Sequence, residues 1–369
     1  MNAPRPKRLI CVGFRRWKQY NLAPILRSQA DELIFVPDAK AARRLSPAAD
    51  DALGWWSCEP PSGIADLAAE NGAMTIRIED GFIRSVGLGS DLIPPMSLVL
   101  DRTGIYFDPR TPSDLETILA TADFSDTELE RARAIRAFIV EHGLTKYNLE
   151  PRRKAEWPTG ARKVVLVTGQ VEDDASIRFG CSDVRSNMGL LEAARRSNPD
   201  AYIVYKPHPD VMSGNRRGRI LLAMARQWAD QIEADISVIS CIEASDELHC
   251  MTSLAGFDAL LRGKRVMTYG QPFYAGWGLT EDRAERTAAL ARRRRPLSLD
   301  QLVAGTLIRY PFYWSPETDS PSDCEHVMHR LTQIRDLLER KGDLDKLRTG
   351  FLRRQGRKAK LLLKAHLPD

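Results

Sequence analysis

The residues able to do chemistry in this chain come in short stretches, each lying just after an apolar run. One is Gly169-Gln170-Val171-Glu172-Asp173-Asp174-Ala175-Ser176. Three consecutive carboxylates repel one another, so at least one should be paired, protonated or turned towards a cationic ligand. An Asp in such a run is a candidate nucleophile or acid–base group, yet Asp and Ser also cap helices. A second stretch, Lys206-Pro207-His208-Pro209-Asp210, holds an imidazole between two prolines beside an ammonium. That pair can donate to one phosphate; the plainer reading is a proline-rich turn. In a third, Thr252-Ser253 stand where a helix should begin, so hydroxyls, free amides and the positive end of the helix dipole coincide. This suits a phosphate, or an ordinary cap. The stretch Gly270-Gln271-Pro272-Phe273-Tyr274-Ala275-Gly276-Trp277-Gly278-Leu279 offers flat rings for a base or a sugar, or an aromatic anchor for its own loop. Last, Glu79-Asp80-Gly81-Phe82-Ile83-Arg84-Ser85 again sets carboxylates behind an apolar run, as a site or as a surface turn.

The elements that must position these residues alternate between strand and helix patterns, as a parallel sheet crossed by helices requires. Short buried strands are expected at 9–13, 32–36 and 75–78, a hairpin-like pair at 97–101 and 104–107, and a long helix over about 112–142. Residues 151–162, rich in Pro, Gly and charge, are the expected linker. Beyond them the spacing predicts strands at 163–168, 201–205, 236–239 and 265–269, and helices at 187–197, 220–228 and 254–261. Helices are expected again at 299–308 and from 322 to the end. Ligands of open α/β sheets sit outside the carboxyl ends of the strands, where the stretches above fall. The expected division is an N-terminal Rossmann-like domain over 1–150, a second over 161–300, and a helical segment with a basic tail over 301–369.

Composition narrows the class. With 369 residues, 43% hydrophobic and 28% charged, the chain reads as a globular protein of about two domains. No apolar run approaches the roughly 20 residues needed to span a bilayer, and the short run after the basic N-terminus reads as a strand rather than a signal peptide. Six scattered cysteines without a CxxC pair fit reduced thiols in the cytoplasm, and no compact His/Cys/Asp set suggests a metal. The formal charge of +5 is mild, but Arg292, Arg293, Arg294 and Arg295 are consecutive, and residues 340–364 hold ten Lys/Arg against two Asp. Leucines and Phe351 are interleaved in that tail, which fits a basic amphipathic helix on an anionic membrane surface, or a helix packed on the body by its apolar stripe. Nucleic acid is disfavoured, because stacking aromatics are not interleaved with the basic residues.

Taken together, the stretches around Glu79, Gln170, His208, Thr252 and Tyr269 resemble those of the KpsC-type capsular polysaccharide β-Kdo transferases, over about residues 9–315. The resemblance implies a GT-B-like fold of two Rossmann-like domains facing a cleft, with C-terminal helices. It implies a retaining glycosyltransferase with CMP-β-Kdo as donor and no cofactor. The acceptor would be a Kdo-bearing lipid or glycan of the capsule's lipid linker, at the inner face of the cytoplasmic membrane, with capsule assembly or export proteins as partners.

Carried onto this sequence, Asp174 matches the family's proposed nucleophile, Glu79 the acid of the acceptor-side motif, and His208 the histidine that meets the donor phosphate. Thr252 and Ser253 match the phosphate-binding hydroxyls. Gln170, Glu172, Lys206, Tyr269 and Gln271 are assigned to substrate, with Arg84 or Arg178 for the sugar carboxylate. Typical members carry two such modules in tandem; this chain shows one, closer to the second. The alternatives are a transferase of the same architecture with another CMP or CDP donor, and a silent module that recruits capsule intermediates.

Overall fold

The computed structural model describes residues 5–150, 153–212, 216–284 and 287–344, with a few scattered positions beyond. Among these, the chain opens with β1 (Arg8–Val12), α1 (Arg16–Arg27), β2 (Glu32–Val36), α2 (Ala39–Arg44), β3 (Ala52–Trp56), α3 (Ile64–Asn71), β4 (Met74–Asp80) and β5 (Ser97–Asp101). Helices α4 (Asp114–Thr121) and α5 (Asp126–His142) follow. Then come β6 (Val164–Thr168), α6 (Ala175–Gly180), α7 (Asn187–Ser197), β7 (Tyr202–Lys206), α8 (Pro209–Met212), α9 (Leu222–Ala225) and β8 (Gln231–Ile232). The run continues through α10 (Val238–Glu243), β9 (Glu247–Cys250), α11 (Leu254–Leu261), β10 (Arg265–Thr268), β11 (Glu281–Asp282), α12 (Ala288–Arg292) and α13 (Leu299–Val303). It closes with β12 (Pro311–Ser315), β13 (Ser320–Ser322) and α14 (Cys324–Arg340).

These elements form two units with interleaved sequence. The first takes residues 1–104, 144–149 and 305–369, the second 105–143 and 150–304. In the first, the described strands make a seven-stranded sheet ordered β13-β12-β5-β4-β3-β1-β2. The pairs β1–β2, β1–β3 and β3–β4 are parallel, whereas β4–β5, β5–β12 and β12–β13 are antiparallel. One face packs on α1 through Leu9, Cys11, Leu22, Ile25 and Leu26, the other on α2 and α3 through Ile10, Val12, Ala42, Ile64 and Leu67. Removing each of these Leu, Ile and Val side chains from water contributes about 1.5–3 kcal/mol.

The second unit is a parallel sheet ordered β11-β10-β9-β6-β7-β8. All five residues of β6 are buried, as a strand covered by helices on both faces requires. From β6 the chain moves through α7 to β7 and β8, then crosses back so that β9 pairs with the other side of β6. The carboxyl ends of β6 and β9 therefore flank a topological switch point, where open sheets of this kind bind ligands.

Several sequence expectations are corrected here. Residues 236–239 are not a strand: Ser237 accepts from Ser240 N–H and starts α10, and the strand is β9. Residues 104–107 form no strand; β5 pairs instead with β4 and β12. The helix expected over 112–142 is two, because Ser125 and Glu128 form a capping box that starts a new one, and both belong to the second unit. Helix 220–228 shrinks to α9, and 299–308 to α13 followed by a π-helical turn at Ala304–Arg309. Strands β3, β8, β11, β12 and β13 have no counterpart among the expected strands. Within the segment expected as a separate helical region at 301–369, residues 311–315 and 320–322 are strands that complete the first sheet, with Phe312 opposite Leu98. Residues 153–162 of the expected linker are tied into the second unit: Trp157 donates to Glu233 at 3.0 Å and Arg162 pairs with Asp230 at 2.9 Å.

All six cysteines are free and buried. Among the described residues no helix is long and apolar enough to cross a membrane, and no group of His, Cys, Asp and Glu side chains is arranged to hold a metal. The basic tail read as a membrane-facing helix lies almost wholly outside the described residues.

Candidate active site

At the switch point of the second unit, hydrogen bonds join residues from two strand ends. Gln170 Nε2 donates to Thr252 Oγ1 at 3.0 Å, and Thr252 N–H donates to Gln170 Oε1 at 2.8 Å. Thr252 Oγ1 donates in turn to Ser176 Oγ at 3.0 Å, and Ser176 Oγ to Asp174 Oδ1 at 2.8 Å. Asp174 is the N-cap of α6 and also accepts Ser176 N–H at 2.9 Å. Oδ1 is thus held as a cap, while Oδ2 of the exposed carboxylate makes no hydrogen bond to a described residue.

Asn187, at the start of α7, fixes the strand end beneath this relay. Its side chain is fully buried, and it donates to the carbonyls of Gln170 and Gly218. Glu172 is spent locally, accepting Asn187 N–H at 2.7 Å. Asp173 faces Arg216 at 3.4 Å on the surface. Asn187 is not singled out by the sequence, because a polar residue at the start of a predicted helix gives no sign of the bonds it makes.

His208 follows β7, the neighbour of β6. Asp210 N–H donates to its Nδ1 at 3.2 Å, so in the neutral ring the proton sits on Nε2 and is free to be donated. Burial holds the imidazole below its usual range, against the opposing charges of Asp210 and Asp174. Ser253 caps α11, accepting Ala255 N–H at 3.2 Å, beside Thr252.

The loop after β10 is an anchor rather than an open aromatic surface. Tyr274 and Trp277 are fully buried. The Tyr274 hydroxyl donates to the Ser253 carbonyl and meets Cys250 Sγ at 3.3 Å. A Cβ on Gly256 would lie 2.2 Å from that hydroxyl, so α11 tolerates only glycine there. Arg293 Nη1 donates to the carbonyls of Pro272 at 2.6 Å and Ala275 at 3.0 Å, and its Nε pairs with Glu116 at 3.1 Å. Arg292 meets the same carboxylate at 2.6 Å, Arg295 donates to the Ala122 carbonyl at 2.7 Å and Arg294 to the Ala291 carbonyl at 2.8 Å, so every member of the tetra-arginine run has a protein partner.

Three residues assigned to substrate from sequence have protein partners in this structure. The Lys206 ammonium is buried and donates to the carbonyls of Ala234 and Ile236, at 3.2 and 2.5 Å. The Tyr269 hydroxyl meets His249 Nδ1 at 3.1 Å, in a buried chain that continues from His249 Nε2 to Glu247 and Lys163. Arg84, in the first unit, is enclosed by Asp80 at 2.7 Å, Ser85 at 2.7 Å and the Ile93 carbonyl at 3.0 Å. Gln271 accepts from Thr287 and donates its N–H to Gly180 O beside Thr252. Arg178 is exposed against the Phe179 ring.

Glu79 ends β4 of the first unit. Its carboxylate accepts Asp80 N–H at 2.9 Å. Burial and the Asp80 charge push it up to about 7, while Lys146 and Lys18 oppose the shift. The loop behind it is held by the returning segment 144–149: Gly87 N–H donates to Tyr147 O at 2.8 Å and Asn148 Nδ2 to Ser85 O at 3.1 Å.

Residues 50–313 match the model of the capsule polysaccharide biosynthesis protein family. The chain belongs to that family. Among solved structures, the family resemblance extends to the KpsC β-Kdo 2,7 transferase of Thermosulfurimonas dismutans, with TM-score 0.72, 33% identity, and coverage of 89% of this chain and 99% of that one. The β-Kdo 2,4 transferase of the same KpsC matches with TM-score 0.75, 30% identity, and coverage of 90% and 99%. The capsule polysaccharide modification protein LipA of Neisseria meningitidis serogroup B is 44% identical over 331 residues, 89% of this chain and 46% of LipA. LpsZ, a lipopolysaccharide-processing protein of Rhizobium meliloti, is 39% identical over 285 residues, 76% of this chain and 63% of LpsZ. The chain thus spans about half the length of LipA. Its mixed α/β architecture of Rossmann-like parallel sheets is the one shared with the two KpsC transferases.

Proposed function

We propose that the protein is a retaining glycosyltransferase that moves Kdo from CMP-β-Kdo to a Kdo-bearing lipid or glycan in capsule assembly. The observation that carries this reading is the Gln170–Thr252–Ser176–Asp174 relay at the switch point, with His208 on the next strand end. Support for the sugar comes from the similarity to two transferases named for Kdo.

In this reading the donor phosphate meets the Nε2–H of His208 and the start of α11 at Thr252 and Ser253. Hydrogen bonds there stabilise charge as it develops on the leaving CMP. Lys206, bound to two carbonyls, contributes structure rather than a phosphate contact. The bond from the anomeric carbon to the CMP oxygen breaks, and Asp174 Oδ2 forms a glycosyl ester in its place. An acceptor hydroxyl, deprotonated by a base, then displaces Asp174; the family's acceptor-side motif is the ground for proposing Glu79 as that base. Two inversions give net retention. The basic tail would bring the protein to an anionic membrane bearing its lipid-linked acceptor, as a peripheral cytoplasmic enzyme working with capsule export proteins.

The test is transfer from CMP-Kdo to a synthetic β-Kdo glycolipid, with the product's anomeric configuration read by NMR. Asp174→Ala should lose at least 1,000-fold and His208→Ala about 100-fold. Undiminished transfer by Asp174→Ala, or an inverted product, would discard the mechanism. Consumption of another CMP or CDP donor in place of CMP-Kdo would discard the substrate.

A further inference from the structure

The carboxyl ends of β1, β3 and β4 are neighbours in the first unit's sheet, and a cluster there is unused by the reading above. Lys18, in the first turn of α1, lays its ammonium over the face of Trp56 at 3.2 Å from the ring centre. No described residue gives that half-buried ammonium a hydrogen bond or an ion pair. An ammonium partly withdrawn from water without such a partner is costly, and a ring face compensates only in part.

The groups that act on Lys18 are Glu79 and Asp80 from the end of β4, and Arg84 and Arg15 as like charges. Burial lowers its affinity for its proton to about 8, with the two carboxylates opposing. Asp80 is committed to Arg84 at 2.7 Å, leaving one buried oxygen without a hydrogen bond. The start of α1 has no side-chain cap and no acid in its first turn, while Arg15, Arg16 and Lys18 crowd it. Cations at the positive end of a helix are unfavourable, and an anion bound among them would relieve the arrangement.

We infer that Lys18 and Trp56 form an acceptor subsite beside Glu79, in which the Lys18 ammonium reads the carboxylate of an acidic sugar. A monoanion suits the place better than a phosphate dianion, because Glu79 and Asp80 already bring negative charge. The subsite rests on the transferase reading for its ligand, but its test does not need turnover. It also gives Glu79 a purpose for its position, since a sugar held by its carboxylate on Lys18 presents its hydroxyls next to that acid.

Calorimetric titration of the full chain with the methyl glycoside of Kdo, with its methyl ester, and with glycerophosphoglycerol decides the matter. The wild type should bind the free acid about tenfold more tightly than the ester. Lys18→Met, which keeps the aliphatic stem on Trp56, should bring that ratio close to one, and Lys18→Arg should preserve it. In transfer assays Lys18→Met should raise the acceptor KM about tenfold with kcat held. Discrimination kept by Lys18→Met, no binding of the free acid by the wild type, or Lys18-dependent binding of glycerophosphoglycerol alone would each overturn the subsite. Should the Met variant not fold, the ratio in the wild type and its retention in Lys18→Arg still decide. Lys18-dependent binding without any Kdo transfer would sink the transferase reading and leave the subsite standing.

Discussion

The carboxamide of Asn187 pairs with both backbone groups of Gln170, accepting its N–H and donating to its carbonyl, each at 2.8 Å. A side chain here imitates the edge of a neighbouring strand, and so carries the sheet's rigidity two residues past β6 into the relay. Asn187→Ala leaves buried peptide groups unpaired and is expected to cost about 2 kcal/mol. Asn187→Asp sets an oxygen against two carbonyls and should cost more, about 3 kcal/mol or above. Thermal unfolding of the two variants checks the order; an Asp variant as stable as the Ala variant would refute the pairing.

The relay also predicts a partial phenotype. Ser176→Ala removes the hydroxyl that joins Thr252 to Asp174 but keeps the Ser176 N–H bond to Oδ1. Transfer kcat should fall about tenfold with the donor KM little changed, the pattern of a lost positioning contact. Ser176→Thr, which restores a hydroxyl, should recover most of the loss. A rise in KM alone would show that the hydroxyl serves binding.

For Glu79, the raised value of about 7 sets both activity and stability against pH. As a base it must be ionised, so kcat/KM should climb with pH and level off above about 7. Stability runs the other way. The folded carboxyl holds its proton more tightly than its ordinary value of 4.5, so its contribution is full below 4.5 and is lost as pH rises through about 7. Glu79→Gln should therefore gain stability relative to the wild type at pH 8 by on the order of 2 kcal/mol more than at pH 5. Urea titrations at the two pH values give the difference directly; an equal offset at both would place the carboxyl in its ordinary range.

Gly256 makes a purely steric prediction. An alanine there would drive its methyl into a fully buried Tyr274, whose hydroxyl is tied to the Ser253 carbonyl. The substitution is expected to cost about 3 kcal/mol and, by shifting the start of α11, to weaken CMP binding as well. Unchanged melting of Gly256→Ala would mean that the aromatic loop yields easily.

Much of the second unit was legible because β6, β7 and β10 are apolar runs covered on both faces, and α7 and α11 have clear starts. Strand β9 was not, since Glu247-Leu248-His249-Cys250 is polar to any periodicity. It is buried because Glu247 meets Lys163 and His249, whose ring also meets Tyr269. Helix α10 was misread because Val238, Ile239 and Ile242 favour strands, and the cap from Ser237 outweighed them. For the site, the places after strands could be read, but the directions of long side chains could not. Lys206, Arg84 and Tyr269 each stand where a ligand contact was expected and each turns to a protein partner instead. Lys18 carried no signal, because only folding sets it on Trp56 beside Glu79.

Because β12 zips onto β5 from more than 200 residues away, synthesis on the ribosome builds the molecule out of order. Every strand of the sheet bearing Asp174 has emerged before the other sheet receives its last members. Until residue 315 is made, β5 presents a bare row of amides and carbonyls, the kind of edge that recruits foreign strands. A chain truncated in the π-helical turn at Ala304–Arg309 would keep that liability for good, and would be expected to aggregate through it.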